Sequence, residues 1–539
     1  MILMKYSRPF LMLLIAVLCS MTAIAQEGSD VLLRDKITDA VMKVYDDQLA
    51  KDPSDYNTLF ARAHQHYYNG EYNAAVADVN QALLLTPKTD KELRFDEYIL
   101  RARISDARRD YTSALADLRL AQELQPKSLA CTDLIAKVNL KAGNLNAAEK
   151  AFKTILRAES MNYDAMYGLA QVEQARGNAK GAIEQATKAV DLFRVEPQVL
   201  INRADIYNRQ GDIDAAVKDL LTAMTVGDGG NAVQRLFDLS DSNYDGVMRS
   251  LSGLADLSGE DGGIYHYLRA NIAVDHCRYG QALRDLNYIK RNGLYDSHTV
   301  YYNLAKCYLE LGRFDEALTA ANQAILRGPS QPEYYVVKAL AEYNLGDGGN
   351  FEAAMEALNR CSAFAPQYVS MLVTKAQLLS SQNEYKEALS YLNAALANDP
   401  GNAEALIERA MLLKQMDNLR LAVNDYNTMT MLSDDVYDLK GFGLSLLGRD
   451  NDALRWLQQV TAVYQPGGEN FYYAALFMAM RGDNFKATEY LQKAIELGYS
   501  SRYKLQYDNL SALSLKALRE EPGFDLLIDK AQRNFVESY

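Results

Sequence analysis

Proline, cysteine and tryptophan are scarce: 539 residues hold 11 prolines, five cysteines and one tryptophan, Trp456. With so few prolines, no long linker and a mean hydropathy of -0.24, a string of domains on Pro-rich spacers is excluded in favour of one continuous helical array. Positive charge is in deficit as well, 57 Lys+Arg against 70 Asp+Glu for a net -13, and no Lys/Arg-rich run offsets it. Nucleic acid is thereby excluded as a partner class, because phosphate binding needs a basic stripe. What the chain has in abundance is tyrosine, 36 residues.

The first 25 residues read differently from the rest. Lys5 and Arg8 precede the apolar run from Phe10 to Leu18, and Ala23-Ile24-Ala25 stands before Gln26. That is the pattern of a secretory signal peptide cleaved before Gln26. The run is too short to cross a bilayer's hydrocarbon core, and no later stretch is long and apolar enough to be a transmembrane span. Cys19 does not mark lipid attachment, because Leu18 stands where lipoprotein signals need a small residue. The expected mature chain is exported and soluble, with the periplasm as its compartment, or else the outer-membrane periphery or the cell surface. Four cysteines remain in it, Cys131, Cys277, Cys307 and Cys361. Their wide spacing resembles neither a disulfide framework nor a zinc site, so they read as small buried hydrophobes.

Internal repetition sets the architecture. Small residues recur at Ala102, Ala136, Ala170 and Ala204 and glycines at Gly143, Gly177 and Gly211, both series stepping by 34. Each unit reads as a helix centred on a small residue, a turn seven residues later, and a second helix with two small residues seven apart. The first clear unit has Ala63, Gly70, Ala75, Ala82 and then Pro87; the pattern returns as Ala305, Gly312, Ala317, Ala324 and Pro329. In the first, Leu59, Ala63 and His66 form one stripe, Gly70 ends the helix without a Cβ penalty, and Pro87 stops the second helix.

These residues resemble the tetratricopeptide repeat family, whose period is about 34 residues in a helix-turn-helix unit. The first-helix small residues run Ala63, Ala102, Ala136, Ala170, Ala204, Ala270, Ala305, Ala339, Ala376, Ala410, Gly441 and Ala475, which places twelve units. The expected fold is all-α, a solenoid in which each hairpin buries its apolar face on the next. The resemblance implies a right-handed superhelix with the first helices on its concave side. The expected order is a signal peptide over 1–25, an N-terminal helix within 26–55, five repeats over 56–226, a degenerate helical unit over 227–262, seven repeats over 263–497 and a helical cap over 498–539. The degenerate unit lies between Gly227-Asp-Gly-Gly-Asn231 and Gly259-Glu-Asp-Gly-Gly263. Gly346-Asp-Gly-Gly-Asn350 repeats the first string as a three-residue insertion, read as a widened turn.

Motifs of catalysis are missing: there is no G-x-x-x-x-G-K-[ST], H-E-x-x-H, G-x-S-x-G or kinase set. The histidines are His64, His66, His266, His276 and His298. The close pair, two apart on a helix, diverges into a packing His66 and an exposed His64. The repeats leave no room for a catalytic domain, so the expectation is a non-enzymatic chain without a cofactor. One metal pattern is present in half. Asp241, Asn243 and Asp245, followed by Gly246, match the start of an EF-hand loop, but Ser252 stands where the closing glutamate belongs, and an Asx/Gly turn capping a helix is the simpler reading.

Charge pairing inside the repeats carries more. Where arginine precedes the first-helix small residue, aspartate follows sixteen residues later: Arg62 with Asp78, Arg101 with Asp117, Arg203 with Asp219, Arg269 with Asp285 and Arg409 with Asp425. The other seven units lack both. At about 100° per residue the arginine falls on the flank away from the groove, near the second helix, so these read as structural ion pairs.

Positions three and two before the small residue, and one, four and five after it, share the groove face. They include Tyr67, Tyr68, Tyr167, Asn202, Tyr267, Asn271, Tyr302, Asn303, Lys306, Tyr343, Tyr472 and Tyr473. Tyrosine offers apolar area and a hydroxyl with few rotors, which suits peptide recognition; equally, the rings can pack between neighbouring first helices. Some members of the family clamp a C-terminal carboxylate with two asparagines and three basic residues. Asn271 and Asn303 match the asparagines, but Tyr267, Glu333 and Val337 stand in the basic places, which argues against that ligand. The expected function is an exported scaffold binding protein or peptide segments in its groove, as part of an envelope or secretion complex. The alternative is a ligand-regulated or calcium-dependent binder centred on 227–262.

Overall fold

The computed structural model describes residues 41–227, 230–258, 262–294, 297–346, 349–431, 437–462 and 467–535. The expected signal peptide and the start of the N-terminal segment lie outside these residues, as do parts of both glycine-rich joints. The described residues are helices joined by turns, with no strand among them, and residues 41–51 form the helix that precedes the repeats. No described helix is long and apolar enough to cross a membrane.

The chain divides into two compact units, Met1–Ser250 and Leu251–Tyr539. In the N-terminal unit, five helical hairpins follow one another: Tyr56–Tyr68 with Tyr72–Leu85, Lys91–Ala107 with Tyr111–Leu124, Leu129–Lys141 with Leu145–Ala158, Tyr163–Ala175 with Ala179–Leu192, and Pro197–Arg209 with Ile213–Val226. The C-terminal unit has seven: Gly263–Asp275 with Tyr279–Arg291, His298–Glu310 with Phe314–Arg327, Pro332–Tyr343 with Phe351–Phe364, Val369–Ser381 with Tyr385–Asn398, Ala403–Gln415 with Leu419–Met431, Tyr437–Leu446 with Asp450–Thr461, and Gly468–Met480 with Asn484–Glu496. This is a solenoid of stacked helical hairpins.

Local chemistry accounts for the hairpins. First helices open on side-chain caps such as Asp55, Ser128, Asn162 and Asn402, whose oxygens accept free N–H groups of the first turn. Each ends seven residues after its small residue on a left-handed residue that turns the chain into the second helix. Eight of these are glycines, among them Gly70, Gly143, Gly211 and Gly482; the other four are Arg109, Cys277, Asn383 and Asp417, with φ between 55° and 66°. The first-helix alanines are at most 3 % exposed, and in one hairpin Ala136 packs beside Ala148, Phe152 and Ile155. A larger side chain there would push the helices apart. Cys131, Cys277, Cys307 and Cys361 are free and buried.

Two expectations change. Gly230–Ser258 is one helical run broken only at Asn243 (φ -150°, ψ 51°). Asp241 and Asp245 lie on helical turns to either side of it, and a Cβ on Gly246 would come 3.3 Å from Ile213. An EF-hand needs those residues in an open loop turning at the glycine, so the calcium reading of Asp241, Asn243 and Asp245 fails. Beyond Glu496, where a helical cap was expected, the chain is mostly irregular. A π-turn at Tyr503–Tyr507 and a 3-10 turn at Leu518–Glu520 lead to short helices Phe524–Lys530 and Gln532–Phe535.

Candidate functional site

First helices of successive hairpins approach one another more closely than second helices do, so within each unit they line the inner, concave side. The arginines stand on its flank. Arg62 donates Nε and Nη2 to the two oxygens of Asp78 at 2.7 and 2.8 Å, and Arg101 grips Asp117 at 2.8 and 2.6 Å. Arg203 with Asp219 and Arg409 with Asp425 repeat the fork. Donating these hydrogen bonds to the carboxylate raises the guanidinium pKa of Arg62, Arg101 and Arg203 above its ordinary value. The remaining nitrogen, Nη1, reaches back to the preceding helix, to Asp46, Asn80, Thr187 and Asn393 respectively. Each of these guanidinium groups thus joins three helices, a tie that the sixteen-residue spacing did not reveal. Arg269 differs: its Nε is 3.2 Å from Asp285 Oδ2, while His266 Nδ1 lies 2.7 Å from Oδ1, so an imidazole has taken half of the fork's acceptor.

In the N-terminal unit the concave face is open. Tyr68 is 72 % exposed. His64, expected to be solvent-facing, is instead half-buried between the edge of Phe60 and the ring of Tyr68, and burial together with Arg103 lowers its pKa. His66 contacts Glu71 through Nδ1 and sits 3.7 Å from Asp78. Tyr67 lies between Tyr68 and Tyr72. Further along, Lys137 pairs with Asp133 and Lys141 with Asp106, both lysines about half exposed. Tyr167 donates its hydroxyl to Asp205 at 3.4 Å, and Asn202 is buried, accepting from Gln198 at 2.9 Å.

In the C-terminal unit the concave face is filled by the chain itself. Tyr267 is 1 % exposed, with its hydroxyl on Thr299 of the next first helix, and Tyr302 stacks on Tyr334 at 4.8 Å. Asn303 donates to Asn271 at 2.8 Å, and Tyr343 to Ser381 at 3.1 Å. Rings and amides therefore pack between neighbouring first helices, and the reading of Tyr267, Asn271, Tyr302 and Asn303 as an open groove is corrected accordingly. Lys306 is half-buried on the same face. Tyr473 lies against Tyr472, which stacks on Tyr499 of the C-terminal segment at 4.6 Å.

That segment spans the face. Ser500 donates both its N–H and its hydroxyl to the carbonyl of Cys277, and its Oγ accepts the N–H of Tyr279 at 2.9 Å. Arg278 reaches the Leu497 carbonyl at 3.2 Å. The turn of this unit's first hairpin is thereby tied to the end of its last. Ser501 donates to Glu310, and Tyr507 packs over Gly312, where a Cβ would lie 2.6 Å from the ring. Glu408 accepts from the Ala512 N–H at 2.8 Å, the Ser511 hydroxyl at 3.0 Å and the Gln377 amide at 3.3 Å. Burial pushes its carboxyl up to about 7. Glu310 and Glu408 occupy groove positions in the repeat register, five after Ala305 and two before Ala410, and sequence reasoning passed over both. Their register was visible; nothing local signalled that the chain's own end would cover them.

The tetratricopeptide repeat family model matches residues 134–197, 170–232, 267–332, 302–368 and 373–422. No curated relative matches in sequence. Among solved structures, the chain is similar to yeast Tom70 at 17 % identity and a TM-score of 0.35, over 74 % of this chain and 96 % of that one. It is also similar to the C-terminal part of a repeat protein from Cytophaga hutchinsonii, at 13 % and 0.29 over 57 % and 97 %. A repeat protein from Parabacteroides merdae gives 17 % and 0.24 over 46 % and 99 %.

Proposed function

Because this chain is a tetratricopeptide repeat protein, we propose that it is a non-enzymatic scaffold, exported from the cell that makes it, which binds protein segments on the concave face of its N-terminal unit within an envelope or secretion complex. The observation that carries this reading is the contrast between the two concave faces. In the N-terminal unit, Tyr68 on the first hairpin stands 72 % exposed and the paired lysines Lys137 and Lys141 on the third are about half exposed, with no described part of the chain laid over them. Exposed rings and adaptable ion pairs are the groups that hold a peptide segment at low entropic cost. Export is supported by Lys5, Arg8, the apolar run to Leu18 and Ala23-Ile24-Ala25.

A photo-crosslinking residue placed in the full chain at Tyr68 or Lys141, in the cells that express it, should capture a partner protein. The same residue at Lys153, on a second helix, should not. Equal capture at all three would remove the concave face from the reading. N-terminal sequencing of the protein from those cells should begin at or near Gln26. A chain retaining Lys5, or one lipidated at Cys19, would overturn soluble export.

A further inference from the structure

The segment that fills the C-terminal unit's concave face has its own internal framework. Arg519 donates to the carbonyls of Lys504, Leu505 and Asp508 at 2.8 to 3.1 Å. Asp508, 2 % exposed, pairs with Lys504 at 3.0 Å and accepts the N–H of Leu510. A segment shaped in advance loses little freedom on docking, as a good ligand should. Its grips are spread along the face, on the Cys277 turn, on Glu310, over Gly312 and on Glu408. The two glutamates receive hydroxyl and backbone N–H donors, the groups any peptide segment presents to a groove.

We propose that residues 498–520 are a built-in ligand that closes this concave face to outside segments, with Glu408 as the anchor that sets the strength of the closure. The proposal rests on reading concave faces as partner surfaces, but its test reads the segment itself, so the two can fail separately. Glu408 is faced from the segment by Ser511 and Ala512 and from the Val369–Ser381 helix by Gln377, all uncharged; Glu404 on its own helix adds repulsion, with Lys504 near Glu404. Burial outweighs these hydrogen bonds, and the pKa rises from the ordinary 4.5 to about 7. A group whose pKa is raised on closure favours the closed form while protonated. Its contribution is therefore full below about pH 4.5 and is lost as the pH rises through about 7, roughly tenfold per pH unit between them.

The test is amide hydrogen exchange on the full chain, followed over 499–520 and corrected for intrinsic rates. In the wild type, protection of the segment should fall about a hundredfold from about pH 5 to about pH 7.5. Glu408→Gln keeps an acceptor oxygen for Ser511 and Ala512 but cannot ionise, so protection should persist and its fall with pH should vanish. Ser511→Glu sets a second carboxylate against Glu408 and should lift the segment while the hairpins stay protected. A labelled synthetic peptide of residues 498–520 should then bind the Ser511→Glu protein at least about tenfold more tightly than the wild type, the factor of about 1.4 kcal/mol. A wild-type segment exchanging like an unfolded chain, an unchanged pH response in Glu408→Gln, a protected segment in Ser511→Glu, or a peptide that binds both proteins alike or neither would each overturn the proposal.

Discussion

Arg203 and Asp219 meet in a two-point fork, Nε to Oδ2 at 2.7 Å and Nη2 to Oδ1 at 2.8 Å, across the two helices of one hairpin. Both side chains are largely shielded, 17 % and 8 % exposed. The Nη1 bond to Thr187, at 3.3 Å, carries the same guanidinium to the hairpin before. The pair is placed to brace one repeat and its junction with a neighbour, on the flank rather than the floor of the groove.

Arg203→Ala and Asp219→Ala should each lower the unfolding midpoint, by on the order of 1 to 3 kcal/mol, because each strands a shielded charge. In a double-mutant cycle the combined loss should be smaller than the sum. Additive losses, or partner binding abolished by Arg203→Ala at unchanged stability, would move the arginines to the ligand surface.

Arg109 takes the left-handed turn position with φ 61°, where Gly143 one repeat later has 77°. A Cβ is strained there and a glycine is not, although glycine loses more freedom on folding. Arg109→Gly should raise stability by about 0.5 to 1 kcal/mol, and Gly143→Ala should lower it by a similar amount, both read from denaturant midpoints. A lower midpoint for Arg109→Gly would show that the side chain makes a contact worth more than the strain.

Gly168 sits inside its helix with the Phe152 ring pressed against it, so close that a Cβ would fall 2.3 Å from Cε1. In an open helix alanine would be the better residue by about 1 kcal/mol. Here Gly168→Ala should instead cost about 1 to 3 kcal/mol through overpacking, and Phe152→Leu added to it should recover part of the loss. Thermal melts of the three variants decide the sign.

Burial pushes the thiols of Cys131 and Cys361 up to about 11 and that of Cys277 higher still. At about pH 8 only on the order of one in a thousand of the first two would be thiolate. In the native chain these cysteines should stay unmodified by a disulfide reagent over times in which an exposed thiol reacts fully, and should react at once in guanidinium. Fast labelling of Cys277 alone would report opening of the turn that Ser500 holds.

The repeat register was legible because two demands coincide in each hairpin. Ala136 or Ala305 must be small for the helices to approach, and the residue seven later must turn left-handed. The register held even where that turn residue is Arg109 or Asp417, which carry no glycine signal, because the alanines alone fixed the phase. The Arg/Asp pairs were legible because both partners lie within one period. What a period cannot show is a contact between its ends. Ser500 meets Cys277 across 223 residues, and neither residue is distinctive in its own neighbourhood. Tyr267 and Tyr302 were placed on the right face, but whether such a ring meets solvent, a neighbour or the chain's own end depends on curvature, which the sequence does not state.

The clasp between Ser500 and the Cys277 turn gives the C-terminal unit a different mechanical character from an ordinary stack of hairpins. A solenoid with free ends behaves as a soft spring: each junction yields a little and the small rotations add along its length. Tying the last hairpin to the first removes that accumulated stretch, so a load on this unit falls on the clasp before the junctions can share it. The same tie orders assembly, since a bond across so long a span forms at low entropic cost only after the six intervening hairpins have brought its ends together.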